Sequence, residues 1–219
     1  MIVAALLTAI IFSAVNCKKD DGFDFEAYYN ERVEKFAAEN EELIGKRVDV
    51  AFLGDSLTEY CDVKKYYPDY VTANRGIGGD TTFGLEKRLK VCAYDVNPKV
   101  IVLLIGANNL RTMFDNYENI VKSLKENLPN TDLVILSLLP MGGEFGQKNN
   151  QTIIENNVGI RRIANLHECT YIDAYDLLLN PETNEINAAY TTEGVHLSDE
   201  GYIVLTSAVK AVLQGLLEK

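Results

Sequence analysis

Strand-like and helical segments alternate along most of this 219-residue chain, and that alternation predicts an α/β protein: a three-layer α/β/α sandwich around a mostly parallel five-stranded sheet. Two observations carry the prediction. Five short apolar runs, at 48–53, 71–74, 100–105, 133–138 and 171–173, read as strands, and the first is apolar almost throughout, as a strand covered on both faces is. Between and after them, apolar residues recur at helical spacing over 82–93, 114–128, 151–166 and 199–217. Strands separated by helices pair in parallel through right-handed crossovers, so every strand-to-helix loop gathers at one edge of the sheet.

The elements follow in order from the N-terminus. Residues 2–15, "IVAALLTAIIFSAV", are apolar or small without a break. The run is shorter than the roughly 20 residues a membrane-spanning helix needs, and it suits the apolar region of an export signal, although the usual positive leader is missing. Two readings stand. In one, Cys17 becomes a lipid-modified first residue as in bacterial lipoproteins, although Ala14-Val15-Asn16 lacks the usual leucine. In the other, a plain signal or anchor is cut near Ala14 to Cys17. Both imply a protein that is secreted or tethered to a membrane through its N-terminus. Residues 1–17 are then the signal or anchor, 18–24 a charged linker, and 25–219 one folded domain.

A leading amphipathic helix is expected over 23–44, with Tyr28, Val33, Phe36, Ala37 and Leu43 on its apolar face. The first strand then ends in Gly54-Asp55-Ser56, where a glycine permits a sharp turn. A serine there is either a helix N-cap or a reactive group at the edge where α/β sheets bind ligands. The second strand runs into "NRGIGGDTT" (74–82) and the third into "IGANN" (105–109), while "TTEGVHLSDEGY" (191–202) precedes the last helix. The most loop-like internal stretch is "MGGEFGQKNN" (141–150), which reads equally as the lining of a substrate cleft or as a surface loop.

Composition bounds the function. A 47% hydrophobic chain of this length supports one core. A formal net charge of −11, with no basic run longer than two residues, argues against nucleic-acid binding, which needs concentrated positive charge. "GIGGDT" lacks the third glycine of a dinucleotide fingerprint, and no phosphate-binding Gly-Lys-Ser/Thr loop exists. Beyond Cys17 there are Cys61, Cys92 and Cys169, without a Cys-x-x-Cys pair and without histidine at metal-ligand spacing, so no metal site is read and the thiols are expected buried and free. Asn150 stands in an Asn-Gln-Thr sequon whose use the sequence leaves open, as it does the oligomeric state.

The four blocks "GDSL", "NRGIGGDTT", "IGANN" and "TTEGVHLSDEGY" resemble, in order, those of the SGNH hydrolases, also called the GDSL esterases and lipases. The resemblance implies a flavodoxin-like fold with no cofactor. It makes Ser56 the nucleophile and His196 the base that takes its proton, and it draws oxyanion donors from the Ser56 N–H, the Gly79 N–H and the Asn108 side chain. Gly78 blurs the second donor; Gly79 is preferred because it directly precedes Asp80-Thr81. Two departures stand out. Asn109 replaces the usual aspartate of the third block, and Glu193 replaces the aspartate three residues before the histidine, becoming the third triad member. Asp199 is instead expected in the first turn of a helix capped by Ser198, and His167 at the end of a helix.

The activity so implied is a serine esterase that cleaves a carboxylic ester through an acyl-enzyme, on a short acyl group of a carbohydrate or on a lipid ester. Acyl transfer through the same intermediate, or a non-catalytic surface protein binding glycan or lipid, are the alternatives.

Overall fold

Val50–Gly54 (β1), Thr72–Gly76 (β2), Val100–Leu104 (β3), Asp132–Leu136 (β4) and Thr170–Ile172 (β5) form one sheet in the order β2-β1-β3-β4-β5. Every neighbouring pair is parallel. The computed structural model describes residues 22–218; the expected signal or anchor at 1–17, with Cys17, and most of the 18–24 linker lie outside the described residues. Among the described residues no helix is long and apolar enough to cross a membrane.

The helices are Phe25–Glu42 (α1), Ser56–Glu59 (α2), Val63–Tyr66 (α3), Thr82–Lys87 (α4), Tyr117–Asn127 (α5), Gly143–Leu166 (α6), Ala174–Leu178 (α7) and Asp199–Leu217 (α8). They cover both faces. On one, Ala51, Leu53, Ile101, Leu103, Leu133 and Ile135 pack with Phe36 of α1, Leu85 of α4, Ile120 and Leu124 of α5, and Ile153 and Ile160 of α6. On the other, Val50, Phe52, Val100, Val102, Val134 and Leu136 pack with Tyr66 of α3, Leu178 of α7, and Leu205, Val209 and Leu213 of α8. Successive residues of each strand therefore enter opposite layers, so the strands read as apolar runs rather than alternating ones. This is the three-layer sandwich.

Several boundaries differ from expectation. Ala37, assigned to the apolar face of α1, is exposed. The helix expected over 82–93 is α4 followed by a separate π-type turn at Lys90–Tyr94. A short antiparallel hairpin, Leu179–Asn180 (β6) with Glu185–Ile186 (β7), lies outside the main sheet and was not expected.

The largest correction concerns 141–150: α6 begins at Gly143, so most of the stretch is helix and not loop. Glycine and asparagine are poor helix formers, but tertiary hydrogen bonds compensate. The Asn150 amide accepts from the Met141 N–H at 2.9 Å and donates to the carbonyls of Met141 and Asn184, each at 2.9 Å. Asn157 clasps the Leu138 backbone in the same two-sided way, at 2.8 and 3.0 Å. Asn150 is also buried, so the nitrogen that a glycan would occupy is already engaged. Cys61, Cys92 and Cys169 are free thiols; Cys92 is buried and the other two are half-buried.

Candidate active site

The loops that leave β1, β2 and β3 meet at the carboxyl edge of the sheet, and the turn before α8 reaches the same place. Gly54 ends β1, and Asp55, not Ser56, caps the helix that follows: its Oδ1 accepts from the Leu57 N–H at 3.0 Å. Ser56 is thus the first residue of α2, with its hydroxyl free of capping. It is 4% exposed. Its Oγ lies 3.1 Å from Nε2 of His196, which is itself buried although 140 residues distant in sequence.

The other imidazole nitrogen of His196, Nδ1, lies 2.5 Å from Oε1 of Glu193. An ionised carboxylate only accepts, so this contact puts the ring proton on Nδ1 and leaves Nε2 bare to accept from the serine hydroxyl. The same Oε1 accepts the His196 backbone N–H at 2.8 Å, and the Thr192 hydroxyl donates to Oε2. The turn that carries Glu193 and His196 is closed by Thr191, which donates to the His196 carbonyl and accepts from the Gly194 N–H, both at 2.8 Å. Gly194 adopts φ +96°, and a Cβ there would lie 2.8 Å from the Gly142 carbonyl oxygen, so both the backbone angle and the packing require glycine. The extra methylene of a glutamate is accommodated by this tight turn.

Gly78 and Gly79 are distinguished by their partners. The Gly78 N–H donates to Oε2 of Glu59 at 2.5 Å. Among the described residues, neither the Gly79 N–H nor the Ser56 N–H has an acceptor. Gly79 sits at φ +77°, a left-handed angle natural to glycine. The Asn108 side chain donates one amide hydrogen to the Asp80 carbonyl at 2.9 Å, which orients it and leaves its second hydrogen available. Asn109 joins the third loop to the start of α4: it accepts from the Thr82 N–H at 3.3 Å and donates to the Thr82 hydroxyl at 2.9 Å.

The profile of the GDSL-like Lipase/Acylhydrolase family matches residues 52–204. The chain belongs to that family. A Drosophila melanogaster protein named platelet-activating factor acetylhydrolase IB subunit beta homolog is 34% identical over 130 residues, which is 55% of this chain and 55% of that protein. The match thus spans about half the length of that relative. A solved structure from Streptococcus pneumonia, described as a candidate platelet activating factor, superposes with a TM-score of 0.74 at 27% identity, covering 86% of this chain and 95% of that one. A candidate acylhydrolase from Bacteroides fragilis superposes with a TM-score of 0.75 over 90% of this chain and 99% of that one, and at 22% identity it speaks to the fold alone.

Other residues of this family member support the site without being legible as functional in the sequence. Asn74 donates to the Thr58 and Cys61 carbonyls, at 2.8 and 3.0 Å, and so holds α2 against β2. Arg88 is buried and joins three segments: its Nε meets Asp80 Oδ2 at 2.8 Å, Nη2 donates to the Gly54 carbonyl at 2.8 Å and Nη1 to the Arg75 carbonyl at 2.7 Å. Burial is the largest influence on the Asp80 carboxyl and raises it, while Arg88 pulls the other way. Asp199 and His167 lie apart from this cluster. Asp199 opens α8 after the Ser198 cap and pairs with Lys65 at 3.3 Å, and His167 follows α6, 3.2 Å from Glu118.

The 141–150 stretch does line a cleft. Gly142 to Phe145, with Ile186, Glu193 and Gly194, bound a cavity of about 480 Å³. It touches the carboxylate end of the His196 pair rather than the Ser56 hydroxyl.

Asp55 carries a pH consequence. Its carboxyl is pushed up to about 7, chiefly by burial and further by the nearby Asp80 carboxylate, and among the described residues Oδ2 has no hydrogen-bond partner. The unfolded chain releases this proton near 3.8, whereas the fold holds it to about 7, so folding takes up a proton between those values. Stability contributed by the protonated carboxyl is complete below 3.8 and is lost as pH rises through 7. Asp55→Asn keeps an oxygen for the Leu57 N–H and cannot ionise. Urea midpoints measured from pH 4 to 8 should therefore decline less in the variant than in the wild type; parallel profiles would contradict this account.

Proposed function

We propose that this protein is a serine esterase of the GDSL family that hydrolyses a short-chain carboxylic ester through an acyl-enzyme. The observation that carries the reading is the relay from Ser56 Oγ to His196 Nε2 at 3.1 Å and from His196 Nδ1 to Glu193 at 2.5 Å. A serine hydroxyl attacks an ester only if a positioned base removes its proton as the new bond forms. In this reading Ser56 Oγ bonds to the carbonyl carbon, its proton passes to His196 Nε2, and Glu193 stabilises the imidazolium. The carbonyl oxygen takes up negative charge and is received by the N–H groups of Ser56 and Gly79 and the free amide hydrogen of Asn108. The tetrahedral adduct collapses by breaking the bond to the alcohol oxygen, which leaves with the proton from His196. Water, deprotonated by the same imidazole, then attacks the acyl-enzyme, and the acid is released as Ser56 regains its proton.

Two observations support a short acyl group. The reacting serine and histidine are both buried, so the acyl chain enters a confined space. The relative that is 34% identical carries the name of an acetylhydrolase. The test is a series of p-nitrophenyl esters from acetate to octanoate, extended to acetylated oligosaccharides. The expected kcat/KM is highest for acetate and falls with each added pair of methylenes. Turnover no higher than that of Ser56→Ala on every ester would discard the esterase reading in favour of a binding protein, and a rise toward octanoate would discard the short-chain assignment.

A further inference from the structure

We infer that Glu59 is a positioning residue for the reaction: its carboxylate, one helical turn beyond Ser56, holds the Gly78 amide and thereby sets where the adjoining Gly79 N–H points. The inference rests on the esterase reading of Ser56, His196 and Gly79. Glu59 Oε2 accepts the Gly78 N–H at 2.5 Å. The Tyr28 hydroxyl reaches both carboxylate oxygens, at 2.7 and 2.6 Å, and Arg32 Nε lies 3.3 Å from Oε1 as an ion pair without hydrogen-bond alignment. Both come from α1, which therefore braces the site from outside the four sequence blocks.

Glu59 has few ways to move. Its side chain is only 14% exposed. Its backbone is pressed against β2 so closely that a Cβ on Gly76 would lie 2.1 Å from the Glu59 nitrogen. On the other side of Gly79, Asn108 holds the Asp80 carbonyl and Arg88 the Asp80 carboxylate. Gly79, left-handed and without a side chain, is thus suspended between two pinned neighbours, and one of the two pins belongs to the helix that bears the nucleophile. Donors fixed before the charge develops stabilise it most, because nothing has to reorganise during the reaction. A carboxylate that ties the Gly79 loop to the Ser56 helix supplies that fixity. The surrounding Tyr28 and Arg32 keep the carboxylate aimed despite its burial.

A purely architectural role, in which Glu59 only attaches α1 through charge, makes the opposite prediction for two conservative variants. Glu59→Gln keeps the reach and an oxygen for the Gly78 N–H but loses the charge. Glu59→Asp keeps the charge but draws it back by one methylene. With p-nitrophenyl acetate, Glu59→Gln should retain kcat within about threefold, whereas Glu59→Asp should lose about tenfold or more with KM little changed, since a displaced donor weakens transition-state binding. The reverse order, or two variants both at wild-type kcat, overturns the inference.

Two further measurements keep the test decisive. The rate at which a fluorophosphonate labels Ser56 also depends on charge developing on oxygen, and it should fall in the same order across the variants. Labelling that follows this order in a protein without ester turnover would sink the esterase reading while upholding Glu59 positioning; no labelling at all would sink both. Hydrogen exchange of the Gly78 amide in the wild-type protein needs no variant, and is expected to be as slow as that of strand amides. Exchange at the rate of an unbonded loop amide would overturn the inference.

Discussion

Ser56→Ala should lower kcat on p-nitrophenyl acetate by about 10⁴-fold or more while leaving the circular dichroism spectrum and melting temperature close to wild type. The serine is the first residue of a four-residue helix whose cap is supplied by Asp55, so removing its hydroxyl costs the fold only the contact with His196. His196→Ala should be as damaging, and the double variant no worse than either single one, because hydroxyl and imidazole act as one unit. Glu193→Ala should lose less, by about tenfold or more, since it orients the ring and takes no part in bond formation. The backbone bonds of Thr191 to the turn keep the imidazole near its place when the carboxylate is gone. Near-normal turnover by His196→Ala would refute the assigned base.

Arg88→Ala should be the most destabilising of the single substitutions considered, by about 3–5 kcal/mol in urea unfolding, because breaking a buried ion pair leaves an uncompensated charge. The side chains of Arg88 and Asp80 are each 1% exposed. The loss also removes a donor from each of the carbonyls of Gly54 and Arg75, at the ends of β1 and β2, and leaves Gly54 with the longer bond from the Ile77 N–H at 3.2 Å. Arg88→Lys keeps the charge but cannot span three acceptors, and should recover only part of the stability. Asp80→Ala introduced into Arg88→Ala should cost far less than in the wild-type background, the signature of two residues sharing one interaction. A loss below about 1 kcal/mol for Arg88→Ala would show that water reaches Asp80 when the guanidinium is gone.

What could be read without coordinates depended on local pattern. The apolar runs at β1, β3 and β4 announce strands because each is sandwiched between layers, and the glycine-punctuated blocks after them announce loops at one sheet edge. The candidate residues Ser56, Gly79, Asn108, Glu193 and His196 were legible through their blocks, because reactive groups at strand ends stand in short, distinctive contexts. The helical start of α6, 143–150, was not legible, since its glycines and asparagines are poor helix formers and Asn150 holds its place by gripping the backbone of Met141 and Asn184.

The roles of Glu59 and Arg88 are illegible in the sequence for the same reason. Each looks like an ordinary charged residue at the end of a short helix, Glu59 closing α2 and Arg88 following α4, and only the packing of α1 and the loops against them turns one into a clasp on Gly78 and the other into a buried knot. The preference for Gly79 over Gly78 rested in the sequence on its place before Asp80-Thr81; its physical reason is tertiary, since a carboxylate from another segment takes the Gly78 N–H and leaves that of Gly79. Sequence alone determined the order of layers and the chemistry available at the sheet edge. Which donors are already spent and which remain for a substrate was decided by contacts between distant segments, because a hydrogen bond depends on separation in space and not along the chain.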